Sequence, residues 1–183
     1  MSLPEVFRIL RGEHAKISRV LAVLESQIEA AKHEGRPDFE IVDAIAKYFG
    51  QYPDRYHHPK EELVLAKLKE RVPDLVPELE VVEAEHKEIA ERTTSFAESI
   101  AAIRSGAGDE TEDFKNLARA FIDFERAHMI REDRHLMPLA LEALTEADWQ
   151  EIDAEISSVD DPLFGPEAEA PFNALRILIM GGR

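Results

Sequence analysis

Four histidines and two glutamates are the residues in this chain best suited to chemistry, and they fall into two matching sets. The first is His14, His57 and Glu61; the second is His86, His128 and Glu132. The His14-to-His57 interval matches the His86-to-His128 interval to within one residue, and the His14-to-Glu61 interval matches His86-to-Glu132 equally well. Local context repeats too. Glu13-His14 followed by Ile17 parallels Glu85-His86 followed by Ile89, and Lys60-Glu61-Glu62 with Leu65 parallels Arg131-Glu132-Asp133 with Leu136. An internal repeat fixes architecture before any single residue does. Here it delivers the same three metal-capable side chains twice.

Singly, each residue has an ordinary explanation. A seam histidine is commonly a hydrogen-bonded core residue, and a helical His-x-x-x-Glu is commonly a surface pair. Together they are different. Two carboxylates and four imidazoles on converging helices are costly to bury without a cation. Imidazole suits iron, zinc and copper, and a carboxylate can bridge two cations. The repeat predicts two equivalent metals, one on His14 and His57, the other on His86 and His128, bridged by Glu61 and Glu132. Two nitrogens, two carboxylate oxygens and a solvent bridge leave a six-coordinate metal one open position.

The positioning elements follow from periodicity. Gly and Pro punctuate four long segments, near residues 4–32, 38–71, 77–106 and 109–144. The first carries Leu3, Phe7, Leu10, His14, Ile17, Leu21, Leu24 and Ile28 in alternating steps of four and three. The third carries Leu79, Val82, His86, Ile89, Thr93, Phe96, Ile100 and Ile103, and the fourth Phe114, Leu117, Phe121, Phe124 and His128. These are bundle seams. In the second segment Pro53 and Pro59 predict a kink or break. Short connectors make neighbours antiparallel. The expected fold is all-α: an up-down-up-down four-helix bundle over 1–144 with a helical C-terminal extension over 145–183 packing on it. Thr145 to Asp148 resembles a capping box opening that extension.

Composition sets the bounds. A chain of 183 residues with 44% hydrophobic and 33% charged residues is globular. Its net charge of −16 opposes binding to nucleic acid or an anionic membrane. The absence of cysteine excludes disulfides, iron–sulfur clusters and thiol chemistry. No secretory leader and no apolar run of about 20 residues is present, so a cytoplasmic location is expected.

The histidine and glutamate pattern resembles the hemerythrin-like family, in its histidine–histidine–glutamate (HHE) cation-binding branch, over residues 4 to 144; Trp149 to Gly165 also looks like the tail of some bacterial members. The resemblance implies a non-haem di-iron cofactor and a role in binding or sensing dioxygen, nitric oxide or iron. An oxidoreductase acting on peroxide or nitric oxide is the alternative, and a structural site, with zinc for example, is a third reading. No protein partner is identifiable. The family's oxygen carriers have a further histidine one turn after the third-helix ligand, where this chain has Ala90. That implies a four-histidine site with one metal more open, which favours sensing or redox chemistry over carriage.

Other residues have weaker claims. His58 and Glu62 offer a second register, but context favours His57 and Glu61; His58 is then expected to face solvent, an extra ligand being the alternative. His135 lies seven residues past His128, too far along a helix for the same metal. His33 suits a helix C-terminus. Tyr48, Tyr52 and Tyr56, the only tyrosines, are expected to pack in the core, a redox or hydrogen-bonding role being the alternative.

Overall fold

A computed structural model describes residues 3–34, 36–107, 112–156 and 159–181. Eight α-helices and no strand occur among them: α1 (Glu5–Glu34), α2 (Phe39–Gln51), α3 (His58–Arg71), α4 (Val76–Arg104), α5 (Glu112–Arg131), α6 (Met137–Ala143), α7 (Glu146–Glu155) and α8 (Asn173–Gly181). Two π-helical turns, Pro53–His57 and Glu132–Leu136, join α2 to α3 and α5 to α6. The chain thus makes four long rods: α1, α2–α3, α4 and α5–α6.

The boundaries have local causes. Asp38 caps α2 by accepting from the amides of Glu40 and Ile41. Pro53 and Pro59 each remove a backbone donor, and the wider π turn absorbs the break expected there. Gly106 ends the α4 region at φ +76°, a conformation that costs glycine least. Thr145 and Asp148 form the reciprocal capping box that opens α7. The Asp148 carboxylate also takes a two-pronged contact from Arg71, at 2.9 and 2.7 Å, tying α7 to the end of α3.

The rods pack α2 on α4, α4 on α5, and α5 on α1, while α7 lies against α1 and α3, and α8 against α1 and α2. Two apolar clusters form the core. One holds Ile17, Leu21, Ile45, Phe49, Phe96 and Phe121; the other holds Leu10, Leu65, Val82 and Leu136. The histidine layer separates them. On α1, Leu10 belongs to one cluster and Ile17 to the other, with His14 between.

Two details of the seams differ from the periodicity. Leu3 is exposed. On α5 the buried face runs through Phe114, Ala118, Phe121, Ile122 and Glu125, leaving Leu117 and Phe124 half-buried. The seam thus shifts by one residue, and Phe124 lies under the guanidinium of Arg92, 4.4 Å from its ring centre. No helix among the described residues is long and apolar enough to cross a membrane.

Candidate metal centre

α1 carries His14 and α4 carries His86. The π turn supplies His57 and the start of α3 supplies His58 and Glu61, while α5 and its π turn supply His128 and Glu132. A π bulge re-aims side chains within a helix and is common at functional sites. All seven residues are buried. They form two groups in which every residue offers one donor atom within 4.8 Å of the others: His14, His57, Glu61 and Glu132; and His58, Glu61, His86 and His128.

The glutamates divide their oxygens between the groups. Glu61 Oε1 lies 3.2 Å from Nε2 of both His14 and His57, while its Oε2 lies 3.5 Å from Nε2 of His86. Glu132 Oε1 lies 3.3 Å from Nε2 of His86 and of His128, and its Oε2 3.3 Å from Nε2 of His14. Each carboxylate thus turns one oxygen toward each histidine group.

The opposite ring nitrogens are anchored outward. Nδ1 of His14 donates to Asp133 at 3.1 Å, His57 to Glu13 at 2.9 Å, His86 to Glu62 at 2.6 Å, and His128 to Glu85 at 3.0 Å. Carboxylates that accept from Nδ1 fix the tautomer and leave Nε2 as the inward lone pair, which is how metal-binding imidazoles are held. Glu13 also accepts from Lys60 at 2.8 Å, and Glu85 from Arg131 at 2.9 Å. The repeat therefore extends beyond the six residues to their supports.

The donor set fits a cation better than it fits itself. Among the described residues, Glu61 Oε2, Glu132 Oε2 and His128 Nε2 are buried without a hydrogen-bond partner. Such orphans are expensive unless something else satisfies them. In the bare protein, protons on three of the neighbouring imidazoles offset the buried carboxylate charge instead. Burial would pull His14 down, but the carboxylates of Asp133, Glu132 and Glu61 beside it lift it to about 12. The same contest leaves His86 at about 11, through Glu132, Glu61 and Glu62, and His57 at about 9, through Glu61 and Glu13. Burial would raise Glu61, yet the His57 charge and the imidazoles of His14, His57 and His86 around it hold it well below the usual carboxylate range. His58 goes the other way: burial, then the neighbouring His57 charge, push it well below an ordinary histidine. A neutral imidazole is the form that binds a metal.

His58 is the main departure from the sequence reading. It does not face solvent. It is 6% exposed, stacks on His86 at 4.6 Å between ring centres and lies 5.8 Å from His128. Ala90 is exposed and brings nothing to the site. Glu61 is fully buried and shared by both groups, while Glu62 accepts from His86 Nδ1 on the outer side. His135 is exposed. The side chain of His33 lies outside the described residues.

Two further acids went unremarked in the sequence, although the repeat marks them. Asp54 precedes His57 by three residues and Glu125 precedes His128 by three, so each lies one turn before its histidine on the same face. Glu125 is 2% exposed, and one of its oxygens has no partner. Burial, aided by the charge of Asp54, pushes its carboxyl up to about 8. Burial lifts Asp54 to about 6; its buried Oδ1 sits 3.6 Å from His58 Nδ1, too long for a hydrogen bond. Asp54 also lines a surface pocket of about 470 Å³ with Gly50, Ala90 and Thr93.

No curated protein matches the chain. The profile of the hemerythrin HHE cation binding domain matches residues 5–140, which span both histidine–glutamate groups and all four rods. The chain belongs to the hemerythrin HHE cation-binding family.

Proposed function

We propose that this protein holds a di-iron centre and uses it to bind or sense a small diatomic molecule, dioxygen or nitric oxide. The observation that carries the reading is the split of Glu61 and Glu132, each with one oxygen toward either histidine group. His14 and His57 would hold one iron, and His58, His86 and His128 the other. Iron there supplies a reversible store of electrons and a coordination position for a small molecule. The first iron has one imidazole fewer, so the shortage that Ala90 implied for the His86 and His128 side falls on the His14 and His57 side instead.

The chain's own residues prepare that position. Asp133 and Glu13 orient the two imidazoles, and the apolar wall of Ile17 limits bulk water. A specific feature favours the alternative, an oxidoreductase acting on peroxide or nitric oxide. Glu125 is a buried acid one turn from His128 whose carboxyl is pushed up to about 8 in the metal-free protein by burial, aided by the charge of Asp54, and Asp54 stands between the cluster and a surface pocket. A neutral carboxyl can donate a hydrogen bond or a proton to a reduced ligand, whereas reversible carriage needs no such donor.

The test is anaerobic loading with ferrous iron, followed by dioxygen or nitric oxide. Two irons per chain and a new absorption band with either gas are expected. Failure to take up iron, or a spectrum indifferent to both gases, would overturn the reading. Catalytic consumption of peroxide that falls in Glu125→Gln would select the oxidoreductase.

A further inference from the structure

We propose that Tyr52 is a redox-active residue, which gives an electron to the metal centre along Glu13 and His57 and is refilled from Tyr56 near the surface. The inference rests on the di-iron reading above. Its geometry is continuous. Tyr52 Oη donates to Glu13 Oε1 at 2.8 Å; Glu13 Oε2 accepts from His57 Nδ1 at 2.9 Å; and His57 Nε2 faces Glu61 Oε1 at 3.2 Å. The Tyr52 and Tyr56 ring centres are 5.8 Å apart, and Tyr56 is only partly buried. The path therefore runs from ligand to outer carboxylate to buried phenol to half-exposed phenol.

A purely supporting role does not account for the phenol. Among the described residues, Glu85, the counterpart of Glu13, is satisfied by His128 and Arg131 alone. Glu13 already has His57 and Lys60, so Tyr52 is an added donor. Lys60 also sits 5.6 Å from the Tyr52 ring centre, which opposes a radical that keeps its proton. The electron must leave with the phenolic proton, and Glu13 is hydrogen-bonded in place to take it. The chain has no cysteine, and its three tyrosines all lie in this stripe. Tyr48 stacks on Tyr52 at 6.1 Å but bonds Asp161, off the path to His57.

The oxidant is hydrogen peroxide. Tyr52 loses one electron and its Oη proton to become a neutral phenoxyl radical, and Tyr56 does the same as it refills Tyr52 and a second electron passes. Peroxide gains those two electrons and two protons, its O–O bond breaks, and two waters leave. Two phenols become two phenoxyl radicals, with no net proton taken from solvent.

The experiment mixes the iron-loaded, oxidised protein with hydrogen peroxide, freezes it at timed intervals and records electron paramagnetic resonance beside iron content. A tyrosyl-radical signal is expected in wild type and Tyr48→Phe, and its loss in Tyr52→Phe at unchanged iron content. In Tyr56→Phe the signal should persist longer. Incorporation of ring-deuterated tyrosine must narrow the wild-type signal, a check that needs no variant to fold. An iron-loaded wild type that consumes peroxide without a radical would overturn the proposal, as would an undiminished signal in Tyr52→Phe. Absence of bound iron would instead remove the metal reading, and this proposal with it.

Discussion

The two halves of the centre repeat their supports more faithfully than their solvent exposure. In the half built from α1 and α2–α3, Glu13 links His57 to Lys60, and both Glu13 and Lys60 are sealed, their side chains 6% and 7% exposed. In the half built from α4 and α5–α6, Glu85 links His128 to Arg131, but Glu85 is 13% and Arg131 46% exposed. The acids Asp54 and Glu125 match. The residue after the ligand does not: His58 follows His57, whereas Met129 follows His128. A duplicated scaffold thus positions two donor groups alike, and a few unmatched side chains make them unequal. The first half carries the extra histidine, which crosses to the other half's group, and the tyrosine stripe.

The largest expected effect erases the comparison altogether. Glu61 serves both groups, so Glu61→Ala should lower iron uptake on both sides, from two per chain to below one. A ligand present at 100 times its dissociation constant stabilises the native state by about 2.7 kcal/mol. Melting of Glu61→Ala should therefore lose the iron-dependent rise that wild type shows after ferrous loading. A variant that keeps one tight iron would mean that Glu61 belongs to one group only.

Glu13→Gln against Glu85→Gln measures how much sealing matters. Removing an outer partner of a metal-bound histidine typically costs about 10–100-fold in metal affinity. Both variants should show it, but Glu13→Gln also strands the buried Lys60 ammonium, a break that costs about 3–5 kcal/mol when a buried pair loses one member. Arg131 keeps its water when Glu85 is neutralised. Chemical denaturation of the metal-free proteins should rank Glu13→Gln well below Glu85→Gln; equal losses would show that Lys60 reaches solvent.

His58→Met makes the two halves alike at the one ligand position where they differ. Timed removal of iron by a chelator should change from one slow and one fast phase toward two fast phases. Unaltered kinetics would exclude His58 from the centre.

The bundle was legible from sequence because its signal is long. Steps of three and four over α1 and α4 leave little alternative to a helix, and Pro53 and Pro59 mark the break between α2 and α3. The candidate metal groups were legible because duplication makes six residues agree where one would be ambiguous. His58 was not, since a helix of even pitch turns adjacent residues about 100° apart. With His57 pointing in, His58 should point away. The π turn at Pro53–His57 widens the helix there, so both histidines reach the interior. Glu125 was hidden for a related reason: Phe124 looked like the seam residue, and its packing under Arg92 is a tertiary contact that periodicity does not report. Ala90 was readable as a departure from the family pattern, but the burial of His58 against His86 was not.

A milder perturbation is pH, and it acts on the metal-free protein. His57, His14 and His86 are lifted to about 9, 12 and 11 in the fold, against about 6.5 when unfolded. A raised histidine stabilises fully below its unfolded value and loses that contribution as pH rises through its folded value. The metal-free protein should therefore melt progressively lower from neutral pH through about 9, with His57 titrating first. Iron replaces the protons on Nε2, so the loaded protein should lack that slope, and loading should release protons into a weakly buffered solution. Parallel pH profiles with and without iron would place these imidazoles outside the centre.

The smallest effect tests whether exposure alone separates the halves. Arg131→Gln removes a cation that touches Glu85 at 2.9 Å but stays 46% exposed, and exposed ion pairs are worth about 0–1 kcal/mol. Lys60→Gln removes the matching cation, which is 7% exposed and packs against both Glu13 and the Tyr52 ring. Glu85 can turn to water when Arg131 is lost; Glu13 has only His57 and Tyr52 left. Arg131→Gln should therefore shift melting slightly, and the shift should vanish at high salt, where exposed charges are screened. Lys60→Gln should shift it more, and the difference should survive salt, because no counterion reaches the sealed side. Equal, salt-sensitive shifts would mean that Glu13 and Lys60 are hydrated in solution, and that the two halves of the centre differ in His58 and the tyrosines alone.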